Sequence, residues 1–265
     1  MEKHQKRNSI VTLIAVAIVI AGAVVYFTGP QTGPTAGFAT GTFTIATGTI
    51  SESGVISGQN YTVLADYPKL SGTAAAGAWN AYVSVLVQGQ IQDFKTAIAQ
   101  NDISRLPSQM QRLANNFNIR YSIDGTSTAY ISAVFGSETY LIGMAHPSHL
   151  LTSLNVDLRD GSVIKLSDLF APGADYLQTL SDITTAGILK QIADGTYSST
   201  PNFVAQTGGT TANAQNFQVF GLSPQGLVIH FQDYQVGPGA SGPAEVVIPY
   251  DQLRSVANPG GPLSQ

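Results

Sequence analysis

The sequence predicts an α+β chain: an N-terminal transmembrane helix followed by two small α+β units, each a helix packed on a mostly antiparallel sheet. Three observations lead there. An apolar run, Ile10–Phe27, follows a short basic start. Two stretches near 73–101 and 174–192 carry apolar residues at helical spacing. The segments around them are β-branched or alternating and are punctuated by turn pairs such as Asp160-Gly161.

Lys3, Lys6 and Arg7 outweigh Glu2 in the opening residues, 1–8, which form a cytoplasmic start. The anchor is placed at 9–28. About 18 apolar residues at 1.5 Å rise span roughly 27 Å, close to the hydrocarbon thickness of a bilayer. Basic residues beside such a run stay inside and send the rest across. The expected location is the cell membrane, single-pass, with the C-terminal part extracytoplasmic. Ala21-Gly22-Ala23 resembles a cleavage site, so secretion after signal cleavage is the alternative. The apolar run continues past that site through Val24–Phe27, which favours a retained anchor.

Residues 29–41, rich in Gly, Pro and Thr, read as a flexible linker. A first unit spans 42–146. Strands are expected at 42–50 and 60–66, then a helix from an N-cap at Thr73 to Asn101. Its stripe is Trp79, Val83, Leu86, Val87, Ile91, Phe94 and Ile98. Trp79, on that stripe, is assigned to the core rather than to sugar stacking. Strands at 119–123, 129–135 and 140–145 complete the unit. The second unit, 147–256, opens with a hairpin: Leu154, Val156 and Leu158 alternate with polar residues, Asp160-Gly161 turns, and Val163, Ile164 and Leu166 return. A helix over 174–192 follows, then a surface connection over 193–216. Strands at 217–220, 227–231 and 245–248 and a short helix at 250–256 close it. Residues 257–265 are expected as a loose tail.

Composition narrows the function. A start at +2 and a whole chain at −4 leave −6 for the remainder. That balance argues against nucleic acid and anionic lipid, which need clustered Lys and Arg, and suits a basic partner. The chain has no cysteine, so disulfides, zinc thiolates and thiol nucleophiles are excluded. Charged residues are 11% of the chain, against about 25% in an average soluble domain, so Thr, Ser, Asn, Gln and Gly supply the polar surface.

Several ordered motifs resemble a known family. Tyr67-Pro68-Lys69-Leu70-Ser71-Gly72 and Asn80 resemble the N-terminal module of the peptidoglycan deacetylase PdaC. Gly143-Met144-Ala145-His146-Pro147, the Leu154–Asp160 hairpin and Leu166-Ser167-Asp168-Leu169-Phe170 resemble the module that follows it. Phe231-Gln232-Asp233-Tyr234-Gln235-Val236-Gly237-Pro238, Gly242-Pro243 and Val247-Ile248-Pro249-Tyr250 resemble that module's end. Two such modules also form the lysozyme-sensing half of the anti-sigma factor RsiV. The resemblance covers about residues 60–256. It implies ligand recognition at the cell envelope, with cell-wall glycan or a basic wall-acting protein such as lysozyme as partner. Residues resembling the deacetylase's catalytic domain, with its metal-binding aspartate and histidines, are not found, and the cytoplasmic start is too short to hold a sigma factor. No cofactor is expected.

Individual residues offer little catalytic chemistry. His146 and His149 could share a metal, but further ligands would have to come from elsewhere. His146 instead matches a strand-end motif, and His230 sits inside a strand. No Gly-x-Ser-x-Gly elbow or phosphate loop is found. Asp233, Tyr234 and Glu245 fall in the family-like ending and, with His146, are the candidate ligand-binding residues. Two alternatives stand beside recognition: a wall-polymer hydrolase or deacetylase-related enzyme, and a structural partner of another membrane protein.

Overall fold

The structure, a computed structural model, describes residues 43–264. The expected anchor at 9–28 and linker at 29–41 lie outside the described residues. Among the described residues no helix is long and apolar enough to cross a membrane.

The chain folds as α+β. Strands β1 (Thr44–Ile56) and β2 (Gln59–Ser71) form one long hairpin, in unbroken register from Thr44 opposite Ser71 to Ile56 opposite Gln59. Ser57 and Gly58 between them have φ of 50° and 76°, the positive values of a two-residue turn whose twist matches the strands. Both strands run longer than the sequence suggests, because glycine in β1 carries no β signal of its own. Its gaps are covered from across the ladder: the Tyr67 ring lies on Gly48 and the Tyr61 ring on Gly54.

Helix α1 (Ala76–Gln100) buries all seven residues of the expected stripe. Trp79 is fully buried, its indole N–H donating to Pro68 O at 3.3 Å. Thr73 is not the N-cap. Ala75 takes that place with no side-chain cap, and Thr73 contributes its carbonyl to Ala76 N–H. After a short α2 (Ser108–Gln111) the chain enters β3 (Ala114–Thr126), parallel to β2 because α1 crosses over between them. Strands β4 (Tyr130–Tyr140) and β5 (Ser148–Asp157) add antiparallel, giving the order β1-β2-β3-β4-β5.

Three expectations change here. The stretch 140–145 is mostly loop, and the fifth strand is β5. The expected hairpin after Leu154 shrinks to a single bridge between Val156 and Val163, since β5 pairs along its length with β4. The unit boundary at 146/147 therefore falls between two strands of one sheet.

The C-terminal part has its own core around α3 (Tyr176–Ala193), whose Leu180 and Ile188 are fully buried. Asp175 caps α3 by accepting from Gln178 N–H at 3.3 Å. The connection expected at 193–216 contains helix α4 (Pro201–Thr207), with Thr200 as its cap and Pro201 in the first turn. Strands β6 (Phe220–Ser223), β7 (Gly226–Phe231) and β8 (Ala244–Ile248) form an antiparallel sheet in that order. The tail is not loose over its described residues. Ala257 bridges Phe170, Asn258 N–H donates to Leu169 O at 2.9 Å, and Leu263 is fully buried. An isolated leucine among Gly, Pro and Ser has no periodic neighbours to reveal it.

The two sheets meet through polar side chains. Strand β6 is the edge of its sheet, and its outer backbone groups bond to the face of the larger sheet turned away from α1. Leu222 N–H donates to Ser132 Oγ at 2.8 Å, Phe220 N–H to Ser153 Oγ at 3.3 Å, and Asn155 Nδ2 to Phe220 O at 2.9 Å. Ser132 in turn donates to Asn155 Oδ1. Buried Ser132 and Asn155 thus take the place of a missing strand.

Candidate functional site

Where that polar face runs out from under β6, a loop from the smaller sheet folds over it. The register puts Glu138 on β4 directly opposite His149 on β5, so their side chains share a face. The His149 ring reaches Glu138 Oε2 with Nε2 at 3.3 Å and Asp233 Oδ2 with Nδ1 at 3.2 Å. Asn118 on β3 donates to Glu138 Oε1 at 3.4 Å. Four segments of the chain meet here.

Asp233 opens the loop 232–243, which is pinned at several points. Gln232 bonds the backbone of Leu151 with both ends of its amide, at 3.1 and 3.3 Å. Gln235 donates to Gly209 O and Asn216 O. Ser199 donates to Val236 O, and Ser241 to Ser198 O. Gly237 lets the loop lie against the Tyr197 hydroxyl, because a Cβ there would meet Tyr197 Oη at 2.3 Å.

Between these anchors Tyr234 turns outward. Its φ is 65°, a left-handed backbone rarely adopted by a residue with a bulky side chain. The residue is 58% exposed, and its ring lies over Gly239, where any Cβ would collide with it. A strained backbone thus holds an aromatic face in solvent beside Asp233.

The electrostatics follow from partial burial. Burial pushes His149 below the ordinary imidazole value, against the pull of Asp233. Burial likewise pushes Asp233 above the ordinary carboxyl value, against His149. Burial and the nearby Asp233 charge push Tyr197 up to about 12, so it stays a phenol and donates to Gly242 O at 3.1 Å. Asp233 Oδ1 is buried without a hydrogen-bond partner. A neutral imidazole has one N–H for two carboxylates, whereas a protonated ring serves both.

The other candidates lie elsewhere. His146 is exposed in the loop between β4 and β5, with Nδ1 2.9 Å from Pro147 O. It is His149 that meets Asp233, and the two histidines go to different partners. Glu245 lies on β8 opposite His230, with Oε2 3.6 Å from His230 Nδ1. His230 is 2% exposed and bonds Asp124 through Nε2 at 3.0 Å. Glu245 therefore joins a separate His230–Asp124 group. Among the described residues no group of three or more His, Asp or Glu is placed to hold a metal ion. Sequence reading missed Glu138 and Asp124, since strand register sets Glu138 opposite His149 and the packing of one sheet on the other sets Asp124 beside His230.

Comparison with known proteins agrees with this architecture. Residues 167–251 match the family described as Protein of unknown function (DUF3298), so a DUF3298 domain is present. The peptidoglycan-N-acetylmuramic acid deacetylase PdaC of Bacillus subtilis (strain 168) is 26% identical over 145 residues, which are 54% of this chain and 29% of that protein. The chain thus matches less than a third of that relative's length. The crystal structure of a DUF3298 member from Bacteroides fragilis NCTC 9343 superposes with a TM-score of 0.59 at 16% identity, covering 83% of this chain and 95% of that one. A DUF3298 protein from Pseudomonas aeruginosa PAO1 gives 0.51 at 17% identity, covering 83% and 96%. At such identities the likeness is one of fold.

Proposed function

We propose that the chain is a non-catalytic recognition module of the cell envelope, held at the membrane by residues 9–28, whose ligand is cell-wall glycan. The observation that carries this reading is Tyr234: an exposed ring fixed on a left-handed backbone, in the loop that Asp233 ties to His149. An aromatic face held in solvent stacks on the apolar face of a sugar ring. Strain of this kind persists only where surrounding structure enforces it, and it clusters at ligand sites. The distant relation to a peptidoglycan deacetylase supports the same ligand class.

Co-sedimentation of the full chain with insoluble peptidoglycan tests it. The unsubstituted chain is expected in the pellet, and Tyr234→Ala should weaken retention about five- to ten-fold, the loss of roughly 1 kcal/mol of stacking. Equal retention of both forms would remove Tyr234 from the site, and no retention of either would remove glycan as the ligand.

A second reading rests on charge. The −6 balance beyond residue 8 suits a basic wall-acting protein such as lysozyme. Such binding should weaken steeply with salt, and a salt-independent complex would count against it.

A further inference from the structure

We infer that β1 is the pairing edge for a second copy of this chain, joined antiparallel about a two-fold axis at Ile50. The two edges of the large sheet are treated differently. Outer groups of β5 are occupied at three positions: Gln232 bonds Leu151, Ile164 N–H donates to Asn155 O, and Asp157 N–H donates to Ser162 O. Strand β1 is the opposite edge, 13 residues long and, among the described residues, paired only with β2. It lacks the features that usually protect an open edge. It has no proline or lysine, and its register with β2 has no bulge. Its one charged residue, Glu52, is tied to Lys95 at 2.6 Å.

The turn geometry fixes which groups face outward. Ile56 and Gln59 close a two-residue turn as a hydrogen-bonded pair, so the even-numbered residues of β1 bond β2. The odd-numbered residues from Ile45 to Val55 turn their N–H and C=O to the open side.

A two-fold axis at Ile50 makes these odd residues each other's partners: Ile45 with Val55, Thr47 with Ser53, Thr49 with Ser51. Between them, Ile50 meets Ile50, Ala46 meets Gly54, and Glu52 faces Gly48 rather than its own copy. Apolar side chains meet apolar ones, hydroxyls meet hydroxyls, and no like charges oppose. Moving the axis to Ser51 sets Ile50 against Glu52. Moving it to Thr49 sets Ile45 against Ser53. This self-complementarity selects a second copy over an unrelated strand.

The absence of native cysteine makes the test clean. In the full chain, Ile50→Cys places two thiols across a non-hydrogen-bonded pair, within disulfide reach, and mild oxidation should give a covalent dimer. Ser53→Cys faces Thr47 of the other copy and should cross-link at least ten-fold less. Adding Thr49→Pro to Ile50→Cys removes an outward N–H while leaving the β2 bonds, and should cut the cross-link about ten-fold with unfolding unchanged. Sedimentation of the chain without cysteine is the independent measurement: a dimer that Thr49→Pro dissociates supports the pairing. A monomer at all concentrations, or equal cross-linking at residues 50 and 53, overturns it.

Discussion

Asn80 satisfies both backbone groups of Leu70 with one amide: its Oδ1 accepts from Leu70 N–H at 2.9 Å, and its Nδ2 donates to Leu70 O at 2.9 Å. Leu70 is near the end of β2, beyond the segment that β3 pairs with, so the side chain on α1 acts there as the next strand. The same side chain borders a shallow groove lined by Tyr67, Lys69 and Gln88. Asn80→Ala should destabilise the fold by about 1–3 kcal/mol by leaving both groups unpaired, read as a lower urea midpoint. An unchanged midpoint would mean that the β2 end is held by packing alone.

Ser132 and Asn155 bond to each other and to the edge of β6. Ser132→Ala and Asn155→Ala should each cost about 1–3 kcal/mol. The double variant should cost clearly less than their sum, because each single change already breaks the shared network. A double-mutant cycle in guanidinium measures this, and strict additivity would separate the two residues.

Acid should weaken the fold through His149. Its folded value lies below the ordinary 6.5, so as pH falls through 6.5 the unfolded chain takes up a proton that the folded ring resists. The unfolded state then binds more protons and stability drops. Asp233 acts with the opposite sign: its folded value lies above 3.8, so the fold gains relative stability as pH falls toward that range. Urea midpoints at pH 7.5 and 5.5 should show the loss in the unsubstituted chain. His149→Gln should remove most of the difference, and an undiminished difference would assign it to other groups.

Leu263 is fully buried in the core around α3. Leu263→Ala should cost about 2–5 kcal/mol, the range for an emptied leucine site. A change within about 0.5 kcal/mol, measured by thermal unfolding, would return the tail to the solvent.

What the sequence disclosed follows from periodicity. The α1 stripe was legible residue by residue, because seven apolar side chains recur at helical spacing and all face one sheet. The Asp160-Gly161 turn was legible because Gly161 takes a φ of 79° that suits glycine. The partner of β5 was not, since local alternation says which residues share a face and not which strand lies beside them. For the same reason Asp233 and Tyr234 could be marked from their motif, while Glu138 and His149 became a pair only once β4 and β5 were in register. Leu263 and helix α4 lie in stretches where Gly, Thr and Pro mask any pattern.

The side-chain reception of β6 also sets an order of events as the chain is made. The five-stranded sheet is complete once Asp157 has emerged, and Ser132, Ser153 and Asn155 can then remain hydrated on its uncovered face. Strand β6 follows some sixty residues later, and its Phe220 and Leu222 backbone groups take the place of water on those side chains. Synthesis from the N-terminus thus presents the receiving face before the strand that docks on it.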